Sequence, residues 1–282
     1  MRARRITPWV YALPGLLWLV LFFAIPLINQ LNVSFMTGDP ESGFNLTWAF
    51  HNYTDAITNY WPQIRRSLIY GSLATIICLI IAFPLAYFIA YRAGRWKTVL
   101  LLAVTLPFFV NQVLRTVSWQ LILSDHGWIV RTLNNIGLVD GRVLASGTAV
   151  VAGMSYAFLP FMVLPLYATL DKLDRRLIEA ATDLYASRPK AFMKVTVPLA
   201  MPGIFAGTLL CFIPATGDFI SAAILGSPGQ YMVGNVIQNN FLVVLDYPSA
   251  AALSFLTMGV ILLAVAIYGR VLGTKALTEA AG

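Results

Sequence analysis

With 282 residues, of which 59% are hydrophobic and only 11% charged, the chain is too apolar for an ordinary soluble domain, where about a quarter of residues carry charge. Its formal net charge of +7 would suit either nucleic acid or a membrane surface, and the placement of the basic residues decides against nucleic acid. An all-α integral membrane protein is expected.

Apolar runs of about 20 residues match the hydrocarbon thickness, and in lipid each must satisfy its own backbone, so each is predicted to be a helix. Six such spans are predicted at 9–31, 67–91, 98–122, 147–170, 203–225 and 249–271. The first follows the basic start "MRARR", which would suit a secretory signal. However, "WVYALPGLLWLVLFFAIPLI" is too long for a signal core and no small-residue cleavage site follows, so a retained span is expected.

Segment 37–65 is turn-rich and then aromatic, and reads as an external loop with a short helix lying on the membrane surface. "YRAGRWK" is a short basic turn on the inner side. Segment 124–146 lies outside, where Trp128, Ile129, Leu133 and Ile136 recur at helical spacing. Segment 171–202 is a long inner loop, and 226–248 is an outer loop with a Gly/Pro turn followed by a semi-polar helix. With both termini inside, Arg65, Arg66, Arg115, Arg131 and Arg142 are the 5 basic residues not assigned to inner segments, against 14 that are. That asymmetry is the positive-inside pattern, so topology accounts for the excess charge. Cys78 and Cys211 fall inside spans and read as small buried residues. His51 and His126 sit in loops, so no pair of intramembrane haem ligands is available, and no metal site is expected.

The inner loop has its own pattern. Leu177, Ala180, Ala181 and Leu184 form an apolar stripe, with Arg175, Arg176, Thr182 and Asp183 mostly off it. Ser187 is a suitable N-cap and Pro189 suits the first turn of a second helix, which must end near Pro198. A helical hairpin results, which either ties two spans together or docks a cytoplasmic partner.

The stretch "EAATDLYAS…F…VTVPLAMPGI" resembles the EAA motif of the integral membrane subunits of bacterial ABC importers. Glu179, Ala180, Ala181, Val195 and Pro198 match, and Ala186 and Ser187 fit its continuation. Tyr185 stands at the motif's glycine, and Val197 at its leucine. The resemblance implies a type I importer permease with a single transmembrane domain over 1–282, of which 171–202 is the coupling loop. It implies that this loop seats in a cleft of a separate ATPase subunit, with Glu179 as a polar contact and Leu184 and Tyr185 as apolar ones. It further implies a second homologous permease, a dimer of ATPase subunits carrying ATP and magnesium, an extracytoplasmic binding protein, and residence in a bacterial inner membrane. The sequence contains no G-x-x-x-x-G-K-[ST] phosphate loop, so a non-catalytic subunit with no cofactor of its own is expected.

Within these permeases the chain looks most like the spermidine/putrescine branch, through "LPFFVNQVLRTVSW", "YAFLPFMVLPLYATLDKLDRRLIEAATDL", "IPATGDFISAAILG" and "GNVIQNNF". The usual double glycine after "AAIL" is Gly226-Ser227 here. Another small solute, such as a cationic amine, an opine or iron, is the alternative within the family, and an ion-driven secondary transporter the alternative outside it. Asp218, inside the fifth predicted span, either lines a wet pathway or pairs internally, for instance with Arg115. Trp119 and Tyr156 could offer ring faces to a cation. Asn111, with Gln112 and Arg115, either bonds neighbouring helices or touches solute.

Overall fold

The computed structural model describes residues 7–137, 142–174, 176–177, 181, 183 and 187–270. Four helices are long and apolar enough to cross a membrane, and two bent helix pairs bring the count to six when each pair is taken as one span. The six-span expectation therefore holds, with two of the spans broken. The chain packs as two compact units, Met1–Trp61 with Val236–Gly259 and Pro62–Asn235 with Val260–Gly282.

In the first unit, α1 (Thr7–Leu19) runs through a π turn at Val20–Ala24 into α2 (Ile25–Val33). No residue of its apolar window is buried, so these side chains are left to meet lipid or another chain. A hairpin follows, β1 (Met36–Asp39) against β2 (Gly43–Leu46), in antiparallel register from Met36↔Leu46 to Asp39↔Gly43. The sequence reads segment 37–65 as an external loop with a short helix, and this hairpin adds strand pairing that the reading did not contain. At its tip Asp39 accepts N–H bonds from Glu41 and Ser42 at 2.9 and 2.7 Å. The Ser42 backbone and hydroxyl, both donating to it, hold the Asp39 carboxyl below the usual carboxylate range. Asn52 fastens the hairpin's base, donating to the carbonyls of Ser34 and Met36 at 2.9 Å each, and Phe35 packs against Trp48, Phe50 and Tyr53. The surface helix expected in this segment is instead the start of α3 (His51–Tyr91), which continues unbroken into the second span.

The second unit is built around α7 (Gly147–Leu170), the most buried of the spans, whose N-terminus is capped by the Ser146 hydroxyl. Small residues let its neighbours approach. On α3 a stripe at four-residue spacing, Ala74, Cys78, Ala82, Ala86 and Ala90, is wholly buried. The thiol of Cys78 donates to the Ser155 carbonyl of α7 at 3.1 Å, and both cysteines are unbridged. Helix α8 (Arg188–Ala191) continues through a π turn at Phe192–Thr196 into α9 (Val197–Leu199), and then bends by 64° into α10 (Met201–Thr216). On α10, Gly203 and Gly207 form a small-xxx-small pair against Thr169, Pro165 and Met162 of α7, the close approach favoured between helices in lipid.

Two sequence boundaries shift. The third span is α4 (Lys97–Thr105) and α5 (Gln112–Leu123), with a tight 3-10 turn at Leu106–Phe109 between them and a 97° change of direction. Pro107 starts that turn, and extended geometry at Val110 and Asn111 completes the break. The predicted fifth span breaks at Gly217-Asp218, and α11 (Ile220–Leu225) starts anew beyond it. Helix α6 (Trp128–Asn135) forms as expected, but the face that packs inward presents Val130, while Trp128 and Ile136 are exposed. Segment 226–248 holds the predicted short helix as α12 (Val233–Asn239), and α13 (Tyr247–Tyr268) is the final span.

Candidate functional site

A cavity of about 840 Å³ opens between α3, α5 and α7. Tyr70, Leu73, Ile77 and Ile81 line it from α3, spaced along one helical face. Trp119 enters from α5, and Val151, Ala152, Ser155, Tyr156 and Leu159 from α7, with Ser146, Gly147 and Thr148 at the α7 N-terminus. Trp119 and Tyr156, two of the four residues assigned from sequence to a solute pathway, meet here with ring centroids 5.4 Å apart and planes tilted by 57°. Their positions follow from helix register. Tyr156 and Leu159 are three residues apart on α7, and the break at Asn111 swings α5 so that Trp119 faces them.

Among the described residues, no charged side chain lines this cavity. Its hydroxyls are largely committed, since Ser155 donates to the Val151 carbonyl at 2.7 Å and Ser146 donates to the Val143 carbonyl and bonds the Thr148 hydroxyl. What remains for a solute is aromatic surface and the phenol tips. Such a wall attracts cations by the ring quadrupole without holding them tightly, and it offers no nucleophile or acid/base pair. Tyr70 was not singled out from the sequence. Its signal lies opposite it, at Gly147, where an added Cβ would run into the Tyr70 ring and hydroxyl.

The other two pathway candidates lie elsewhere. Asp218 is buried, and both its carboxylate oxygens are engaged: Oδ1 accepts the N–H groups of Ile220 and Ser221 at 2.9 and 3.3 Å, and Oδ2 the Ser221 hydroxyl at 2.5 Å. It thus caps the N-terminus of α11. No bond or ion pair joins it to Arg115 among the described residues. Asn111 is exposed and caps α5 through the Val113 N–H at 2.8 Å. Of the expected coupling residues, Glu179, Ala180, Leu184, Tyr185 and Ala186 lie outside the described residues. Ala181 is half-buried, and Ser187 is exposed, its backbone carbonyl accepting the Ala191 N–H at 2.9 Å at the start of α8.

Residues 82–273 match the family described as the binding-protein-dependent transport system inner membrane component. This chain belongs to that family. The permease is 36% identical over 264 residues to the spermidine/putrescine transport system permease protein PotB of Escherichia coli, covering 92% of this chain and 96% of that protein. To the protein of the same name from Haemophilus influenzae it is 37% identical, over 90% of each chain. A bacterial ABC transporter that imports the acidic polysaccharide alginate has a chain superposing with a TM-score of 0.74 at 18% identity, covering 95% of this chain and 96% of that one, which shows the shared fold. The permease is therefore an inner-membrane transport component of an ABC importer, as the EAA-like stretch implied.

Proposed function

We propose that the permease forms half of the translocation pathway of an ABC importer for polyamines of the spermidine and putrescine type. The observation that carries this reading is the 36% identity to the E. coli polyamine permease across almost the whole length of both chains. The aromatic cavity supports it, because a polycation crossing a bilayer needs weak, successive cation–π contacts more than a tight site. In this reading an extracytoplasmic binding protein selects and delivers the solute, and a second homologous permease supplies the other half of the pathway. A dimer of separate ATPase subunits binds ATP and magnesium and seats the loop around Glu179. Both termini of the permease lie in the cytoplasm, in keeping with the basic inner segments.

The test is reconstitution of the permease with its encoded partners in proteoliposomes. ATP-dependent uptake of labelled spermidine or putrescine is expected only when the binding protein and ATPase are both present. Uptake by this chain alone, driven by an ion gradient, would overturn the assignment. Within the complete system, Trp119→Leu should lower uptake by roughly two- to thirtyfold, the range that loss of one cation–π contact predicts. Trp119→Phe should retain most of it.

A further inference from the structure

We propose that the π turn at Phe192–Thr196 is a joint with two registers, and that Thr196 is the positioning residue that holds the second register during transport. The proposal rests on the coupling-loop reading above and names the place where the loop's movement enters the spans. Buried threonines on the helices of this chain share one habit. Thr75, Thr116, Thr216 and Thr257 each donate the hydroxyl to the carbonyl four residues earlier, at 2.7–2.8 Å. A buried hydroxyl without such a bond costs free energy. Thr196 is only 1% exposed, yet its hydroxyl meets no partner.

The cause is the turn itself. The Val197 N–H, five residues on, takes the Phe192 carbonyl, the acceptor that lies four residues before Thr196. Ordinary α spacing across the turn returns the Thr196 hydroxyl to that carbonyl, so the second register satisfies a group that the first leaves bare. Pro198, two residues beyond, has no N–H, so the ladder is already one bond short here and a change of register loses little. Single π turns within α-helices recur at functional sites for this kind of reason. The joint is held at its two ends by different helices. Phe192 sets its ring edge-on against Phe83 and Tyr87 of α3, with centroids 5.3 and 5.8 Å apart and planes at 80° and 78°. Beyond the turn the chain passes into α10, whose Gly203 and Gly207 lie against α7. Helices α3 and α7 are two walls of the aromatic cavity. One residue of register is about 1.5 Å of helix rise, so a change in the joint moves the α3 wall against the α7 wall. A load on the coupling loop shifts the joint between the register with a bare hydroxyl and the register that satisfies it.

The experiment uses the complete importer in proteoliposomes. Copurification of the ATPase with the unmodified chain is read first, and its absence would bring down the coupling-loop reading itself. Thr196→Val keeps the side-chain shape and removes the donor. It should leave ATPase copurification intact and the thermal midpoint of the isolated permease equal or higher, because it deletes an unpaired buried hydroxyl. Polyamine uptake should fall by roughly two- to tenfold, the loss expected when one of two registers gives up a hydrogen bond. The ATP hydrolysed per molecule carried should rise in step. Thr196→Ser keeps the donor and should transport within about twofold of the unmodified importer. Uptake by Thr196→Val at the unmodified rate would refute the proposal. So would a loss of uptake that comes with a lower thermal midpoint or with loss of the ATPase, or one that Thr196→Ser shares in full, since each assigns the residue to packing or docking alone.

Discussion

Asp218 illustrates how a buried carboxylate in an apolar run carries two meanings. In sequence it is an intramembrane charge, which points to a wet pathway. In the structure three donors within its own turn surround it, because the helix stops at Thr216 and restarts at Ile220. That role depends on where the helix breaks, which composition does not reveal. The two meanings separate experimentally, because a pathway role requires the charge and a cap requires only acceptors. Asp218→Asn keeps an acceptor for the Ile220 N–H, and uptake should stay within about threefold of the unmodified importer, as expected between good capping residues. Asp218→Ala removes the cap and should cost about 0.5–2 kcal/mol of stability, read as a lower thermal midpoint in detergent with a matching fall in uptake. Equal losses from both variants would return the charge to the pathway. Trp119 and Tyr156 were legible beforehand because large rings in polar-flanked spans stand out. Tyr70 was not, since its place on the cavity wall depends on the register of α3 against α7.

The elements themselves were largely visible in the sequence, because a bilayer permits few structures and each span is one long apolar run. What escaped were features set by local chemistry. The hairpin at Met36–Leu46 depends on Asp39 and two glycines, Gly38 and Gly43, with φ of 135° and 80°, within a segment that reads only as a loop. The 97° bend after Phe109 depends on Pro107 and the Asn111 cap, within a stretch read from the sequence as one span. Packing between helices followed the same logic of small residues. On α10 an added Cβ at Gly203 would lie 2.6 Å from the Thr169 hydroxyl oxygen and 2.9 Å from the Pro165 carbonyl oxygen. Because the second of these is backbone, the helices must separate to admit it. Gly203→Val should therefore destabilise the permease by about 1–3 kcal/mol, the usual cost of overpacking. Gly15→Ala, where nothing stands within 4 Å of the added carbon, serves as the control and should leave the thermal midpoint unchanged. A midpoint for Gly203→Val equal to that of the control would show that α7 and α10 do not rely on this contact.

In the proposed importer, the permease converts events on a separate soluble ATPase into movement of its spans. Lys97 at the start of α4 and Asp171 at the end of α7 form an ion pair, a half-exposed contact worth about 0–1 kcal/mol. The loop that follows Asp171 is the one proposed to dock the ATPase. That loop carries the EAA-like stretch, whose polarity is unlike the rest of the chain and suits a water-soluble partner. Its second helix begins at the backbone bond from the Ala191 N–H to the Ser187 carbonyl and leads through α9 and a 64° bend into α10, which grips the central α7 through Gly203 and Gly207. On the proposed reading, a push on the loop reaches the core of the second unit through this bent helical route. Glu179→Lys reverses the charge at the motif's acidic position. Copurification of the ATPase should fall by about tenfold or more, as expected for an inverted interface charge, and ATP-dependent uptake should fall in parallel. Membrane insertion and the thermal midpoint of the isolated permease should be unchanged. An intact ATPase complex that transports at the unmodified rate would remove Glu179 from the coupling contact and shift attention to the apolar side chains, Leu184 and Tyr185.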